Sequence, residues 1–170
     1  MNSVINDIFS DVISANKDYQ NSFTYKSLTG EAARELAIVT CIDSRIDPLA
    51  VVGMNSGDAK ILRNAGARVT EDILRTLVLA SYLLNVKRIL VMPHTDCAMA
   101  TSEESEIHSK IMNKFNVDTR SLEFRTVTNQ KQALQMDVTR IKSFPLLSKN
   151  VVVVGAIYDV KTGALDFISE

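Results

Sequence analysis

An α/β fold is predicted, with a central, mostly parallel β-sheet, an antiparallel edge strand and flanking helices. Two features of the 170-residue chain point to it. Apolar runs of strand length alternate with helical patterns, the order that builds parallel sheets. The last apolar run then turns back through Asp159-Val160-Lys161-Thr162-Gly163 into residues 164–168, which reads as a hairpin.

Ile5, Ile8, Phe9, Val12 and Ile13 recur at helical spacing, and a polar loop is expected from about 16 to 30. Residues 36–40 read as the first strand. Asp47 and Pro48 supply an N-cap and a proline at the first helical position, opening a short helix through Val52. Residues 59–62 form the second strand. Thr70, Glu71 and Asp72 start a long helix whose Ile73, Leu74, Leu77, Val78, Ala80 and Leu84 cover most of its circumference, as in a helix sandwiched inside the fold. Residues 88–92 have the unbroken apolar character of a parallel strand buried on both faces. Ser102 with Ser105 and Glu106, or Thr101 with Glu104, marks the next helix start. A polar stretch from about 116 to 125 precedes a helix with Leu134, Val138 and Ile141 on one face, and the very apolar strand 151–157 follows.

A chain of this length buries about 70% of its unfolded surface, enough to fold without a disulfide or metal. One domain spanning 1–170 is expected, with a helical arm at about 1–30. With 19 Lys+Arg against 20 Asp+Glu and no basic block, nothing suggests a nucleic-acid partner. The first residues, MNSVINDIF, lack a basic n-region and a long apolar h-region. No apolar run approaches the roughly 18 residues of a membrane span, so no membrane partner is expected and a cytoplasmic protein is the default. Cys41 and Cys97 are the only two cysteines. They are either bridged or reduced and used otherwise, and in a reducing compartment the second option leads.

Ligands of parallel α/β sheets bind beyond the carboxyl ends of the strands, and the unusual residues of this chain fall there. The first strand runs into CIDSR at 41–45. If the extended backbone persists to Arg45, alternation sends Cys41, Asp43 and Arg45 to one side. The third strand runs into PHTDC at 93–97, where His94 and Cys97 are three apart, a spacing that lets one short loop give two ligands to one ion. With Cys41 from a neighbouring strand, two thiolates and an imidazole make a Cys2His set with a fourth tetrahedral position left over, a set that favours zinc. The competing interpretation keeps both cysteines as small core hydrophobes and His94 as a hydrogen-bonded loop histidine.

CIDSR and HTDC, with ILRNAGARVTEDILRTLVLA between them and FPLLSKNVVVVGAIYDVKTGAL after them, resemble the beta-class carbonic anhydrases, especially the small prokaryotic branch. The similarity spans 36–168. It implies a beta-carbonic-anhydrase-like fold and one Zn2+ per chain held by Cys41, His94 and Cys97. It also implies a catalytic dyad of Asp43 and Arg45 that controls the fourth position, with Asp43 as the fourth ligand in a closed state. The implied assembly is a homodimer or dimer of dimers with the N-terminal helix packed on the neighbour. The chain departs from the pattern at Ala98, where Gly is usual, and at Pro93, whose fixed dihedral and missing donor are expected to tilt the ligand loop.

The implied activity is zinc-dependent reversible hydration of carbon dioxide to bicarbonate and a proton. Relatives of the family also hydrolyse carbon disulfide or carbonyl sulfide. Two further classes stay open, a non-catalytic zinc protein and a metal-free thiol enzyme with Cys41 as nucleophile and His94 as base. Gly66 is a candidate substrate-binding residue, because it lets backbone approach the site without a side chain, although an ordinary tight turn explains it equally well. Arg63 either anchors the adjoining loop or is a solvated arginine. His108, among Glu104, Glu106, Ser109 and Lys110, reads as part of a solvated helix face and is left out of the site.

Overall fold

The computed structural model describes residues 3–169; Met1, Asn2 and Glu170, which the expected 1–170 domain includes, lie outside the described residues. The elements are α1 (Ser3–Ile8), α2 (Ser10–Asn21), β1 (Leu36–Cys41), α3 (Pro48–Val51), β2 (Ala59–Asn64), a 3-10 turn (Ala65–Ala67), α4 (Glu71–Leu83), β3 (Arg88–Met92), α5 (Ala98–Thr101), α6 (Glu104–Phe115), α7 (Gln130–Lys142), β4 (Val152–Tyr158) and β5 (Leu165–Phe167). They build the expected sheet, in the order β2-β1-β3-β4-β5, parallel throughout except for the antiparallel β4–β5 pair.

Three helices, α3, α4 and α7, start where a side chain satisfies a free N–H group. The Asp47 carboxylate accepts from the Ala50 N–H at 3.2 Å, with Pro48 at the first position of α3. Thr70 caps α4 by accepting from the Ile73 N–H, and Asn129 caps α7 by accepting from the Gln132 N–H. Between β4 and β5, the Asp159 carboxylate takes the N–H groups of Lys161 and Thr162, and Gly163 adopts a φ of 77° to close the turn.

The central strands β1 and β3 are covered on both faces, which explains their continuous apolar character, whereas Val152 and Val154 of β4 are exposed on one face. Ala37, Val39, Ile89, Val91 and Val153 pack with Ile73, Leu74 and Leu77 of α4 and Leu134, Val138 and Ile141 of α7. Leu36, Ile38, Leu90, Met92 and Ala156 form a second cluster with Ile46, Val51 and Val52 near α3.

The structure corrects three local expectations. Helix α2 runs to Asn21, through residues expected to be loop, and no described residue from the start of α1 to Glu31 is buried. Helix α4 buries Ile73, Leu74, Leu77 and Ala80 but leaves Leu79, Tyr82 and Leu83 exposed, so it is not sandwiched within this chain. No capping box forms at Thr101 or Ser102. Thr101 is taken up in α5, donating its hydroxyl to the Cys97 carbonyl, and α6 begins at Glu104, whose carboxylate accepts the N–H groups of Phe124 and Arg125. Among the described residues no helix is long and apolar enough to cross a membrane.

Candidate metal centre

The strand order reverses direction between β1 and β3, the switch point where the carboxyl ends of a parallel sheet leave a crevice. Cys41 is the last residue of β1, and His94 and Cys97 lie in the loop leaving β3. Pro93 does not tilt that loop out of register. Its carbonyl accepts the Tyr158 N–H at 2.8 Å, and the Thr95 N–H donates to the Tyr158 carbonyl at 2.9 Å, so the ladder with β4 continues past the proline. Ala98 opens α5 in a helical conformation that needs no glycine.

Three atoms that could ligate a metal converge here, the sulfurs of Cys41 and Cys97 and a ring nitrogen of His94, all within 4.8 Å of one another and on buried residues. The sulfurs are 4.0 Å apart, far beyond a disulfide's bond length of about 2.05 Å. Two sulfurs on one tetrahedral zinc, each at about 2.3 Å, lie about 3.8 Å apart, so the spacing suits a shared ion. The His94 Nδ1–H donates to the Thr95 carbonyl at 2.8 Å, so in the neutral ring Nε2 is the nitrogen that carries the lone pair. That Nε2 is fully buried without a hydrogen-bond partner, a costly state for a ring nitrogen unless a cation takes its lone pair. The donor set and its bare nitrogen fit zinc.

The electrostatics favour a thiolate. The Cys41 thiol is held well below its ordinary range, first by the hydrogen bond from Cys97 and then by the backbone N–H groups of Gly66 and Asp43. Cys97 is pushed upward, because it holds the proton shared with Cys41 and is buried. Gly66 earns its glycine twice over. Its N–H donates to Cys41 Sγ at 3.4 Å from a backbone with φ of 76°, and a Cβ there would lie 3.0 Å from Met99 Cβ.

Asp43 and Arg45 reach the site by a different route from the one expected. The strand ends at Cys41, and Asp43 starts a tight turn in which its Oδ1 accepts the Arg45 backbone N–H at 2.9 Å. The Arg45 guanidinium grips the same carboxylate with Nε–H to Oδ1 at 2.9 Å and a second N–H to Oδ2 at 2.7 Å. This pairing holds Asp43 well below the usual carboxylate range. Asp43 Oδ2 lies 3.8 Å from His94 Nε2, beside the ligands but not among them.

Arg45 also donates to the Asp96 carboxylate at 2.8 Å and to the Asp96 carbonyl at 3.1 Å, tying the two ligand loops together. Asp96 adopts a left-handed φ of 57°, which aspartate tolerates and the short H-x-x-C loop requires. Asp96 was not anticipated, though an acid between the two ligands in HTDC is the signal that could have found it. Gln130 was not anticipated either; its side-chain N–H donates to the His94 carbonyl at 2.8 Å from α7. Arg63 is an anchor, donating to the carbonyls of Cys41 at 2.8 Å, Asp43 at 2.6 Å and Ile46 at 3.2 Å. His108 is only partly exposed, with Nδ1 2.9 Å from the Thr119 hydroxyl and its ring against Phe124.

A family model described as carbonic anhydrase matches residues 36–165. Beta-carbonic anhydrase 1 of Mycobacterium tuberculosis is 30% identical over 160 residues, covering 94% of this chain and 96% of that protein. A Saccharolobus solfataricus protein named carbon disulfide hydrolase is 30% identical over 155 residues, covering 78% of this chain and 76% of that one. The solved structure of a carbonic anhydrase from Streptococcus mutans matches with a TM-score of 0.88 at 35% identity, covering 95% of this chain and 97% of the other.

Gly66→Ala tests the local geometry. The left-handed backbone alone penalises a Cβ by about 1–2 kcal/mol, and the contact with Met99 adds to it. Urea unfolding of the variant is expected to show a loss of at least that size; unchanged stability would contradict the tight approach of Gly66 to Cys41.

Proposed function

This chain belongs to the beta-carbonic anhydrase family, and from that premise we propose that it catalyses the reversible hydration of carbon dioxide to bicarbonate and a proton, with one zinc ion per chain held by Cys41, His94 and Cys97. The observation that carries the proposal is the buried, bare Nε2 of His94 beside two sulfurs spaced for one tetrahedral ion. A zinc ion held by Cys41, His94 and Cys97 would supply a Lewis acid that lowers the pKa of water well below its bulk value.

The chain's own residues orient and guard that chemistry. Cys41 offers a thiolate, Cys97 would become a second when metal binding displaces its proton, and the Thr95 carbonyl fixes the His94 tautomer that leaves Nε2 free to bind. Asp43 presents an ionised carboxylate at the edge of the ligand set, and Arg45 holds it there by occupying both of its oxygens. Released from Arg45, Asp43 is within a small movement of becoming the fourth ligand, so the pair acts as a gate between an open and a closed site. Gly66 contributes backbone that approaches the site without a side chain in the way. Two reduced cysteines 4.0 Å apart suit a reducing, cytoplasmic setting.

A second reading is favoured by one observation, the similarity to a protein named carbon disulfide hydrolase. Stopped-flow assays of zinc-loaded protein with carbon dioxide and with carbon disulfide separate the two. Carbon dioxide hydration is expected. The Cys97→Ala variant should lose both metal and activity, and Arg45→Ala should keep its zinc while losing about tenfold or more in rate. Carbon disulfide turnover without hydration would favour the second reading, and zinc binding with neither activity would make the centre structural.

The assembly proposed is a homodimer or a dimer of dimers. Val4, Ile5, Ile8, Phe9 and Val12 on the arm and Leu79, Tyr82 and Leu83 on α4 are exposed apolar side chains of a kind that a second copy would cover. Sedimentation is expected to show a dimer or larger species that weakens when residues 1–15 are deleted. A monomeric intact chain would contradict it.

A further inference from the structure

Asp137 is the one buried acid among the described residues, 5% exposed on a helix that contributes none of the three ligands. Burying a carboxylate is costly unless it is paired and hydrogen-bonded. Its partner is Arg68, which donates Nε–H to Oδ2 at 2.7 Å and a second N–H, more loosely, to Oδ1 at 3.4 Å. A third Arg68 N–H reaches the Arg125 carbonyl at 3.1 Å, and the Arg125 backbone N–H is in turn held by Glu104 at the start of α6.

Arg68 immediately follows the 3-10 turn that contains Gly66. The Asn64 side chain, which precedes that turn, ties it to Arg68 just after it, accepting the Arg68 N–H at 2.8 Å and donating to the Arg68 carbonyl at 2.6 Å. The ion pair with α7 therefore anchors the turn whose Gly66 N–H meets the Cys41 sulfur. Two helical turns before Asp137, on the same side of α7, Gln130 donates to the His94 carbonyl. Arg68, Gln130 and Asp137 line one small cavity with Gly66, Pro93 and Cys97.

We propose that α7 carries positioning residues for the metal centre: Asp137, acting through Arg68, sets the backbone that donates to the Cys41 sulfur, and Gln130 sets the carbonyl of His94. The inference rests on the zinc reading above. Groups of this kind orient ligands and tune the metal without touching it, and their loss weakens metal binding by about 10- to 100-fold.

Two variants test it. The double substitution Arg68→Met with Asp137→Leu removes both charges together, because deleting one partner alone would strand a buried ion and confound the result. Gln130→Met removes the second contact alone. Zinc affinity is read by competition with a chelator, the ligand geometry by the thiolate-to-cobalt absorption of the cobalt-substituted protein, and the fold by thermal unfolding of the metal-free form. Each variant is expected to bind zinc about tenfold or more weakly and to shift the cobalt band while its metal-free form unfolds near the parent's temperature. Arg140→Ala, which removes a different α7 ion pair, to Glu71, should change neither metal readout. Zinc affinity within about twofold of the parent and an unshifted band in both variants would overturn the proposal. Should the double variant fail to fold, Gln130→Met alone decides by the same criteria. A parent chain that binds no zinc would instead overturn the metal reading on which the inference stands.

Discussion

The parallel register of β1 with β3 is the constraint on which the site depends. Thr40 lies opposite Met92, so the residues that leave the two strands emerge side by side. The buried Thr40 hydroxyl donates to the Met92 carbonyl at 2.7 Å, a side-chain bond that reinforces the pairing at the strand ends. A slip of one residue would move Cys41 by about 3.3 Å and turn its side chain to the other face. That displacement is comparable to the 4.8 Å within which all three ligand atoms lie. The two apolar clusters that cover the sheet are thus tied to function, because they hold this register against slippage.

Charge finishes what register begins. Each ligand loop is short and irregular, and each is tied down by an arginine from outside it or across from it. Arg63 on β2 binds the carbonyl of Cys41 at the end of β1 and two carbonyls of the loop after it, and Arg45 joins that loop to Asp96 in the loop after β3. The contacts surrounding the sulfurs come mainly from backbone N–H groups and neighbouring cysteine rather than from mobile side chains, so a thiolate at Cys41 is stabilised without reorganisation. The bare His94 nitrogen is the complementary feature. It costs free energy in the metal-free chain and becomes favourable only when a cation accepts its lone pair.

What was legible in the sequence follows from how far each signal travels along the chain. The apolar runs of β1, β3 and β4 and the caps at Asp47 and Thr70 depend on neighbours within a few residues, and they appear where expected. The convergence of Cys41, His94 and Cys97 was legible because cysteine and histidine are rare here and fall at strand ends. The polar second half of α2 was not, since it buries nothing in this chain and so has no apolar stripe to mark it. Nor was the start of α6, where Glu104 bonds to residues 20 and 21 positions away instead of capping its own helix. Asp96 and Gln130 act on partners 51 and 36 residues distant, and no local pattern encodes such a contact. The side-by-side placement of Asp43 and Arg45 was anticipated, but as strand alternation; an aspartate turn produces it.

The central claim is that two sulfurs and one imidazole nitrogen hold a single zinc ion. X-ray absorption at the zinc edge of the purified, zinc-loaded protein tests it most directly. Two sulfur scatterers at about 2.3 Å and nitrogen or oxygen scatterers at about 2.0–2.2 Å, with one zinc per chain, are the predicted result. A shell of oxygen and nitrogen alone, without sulfur, would contradict it.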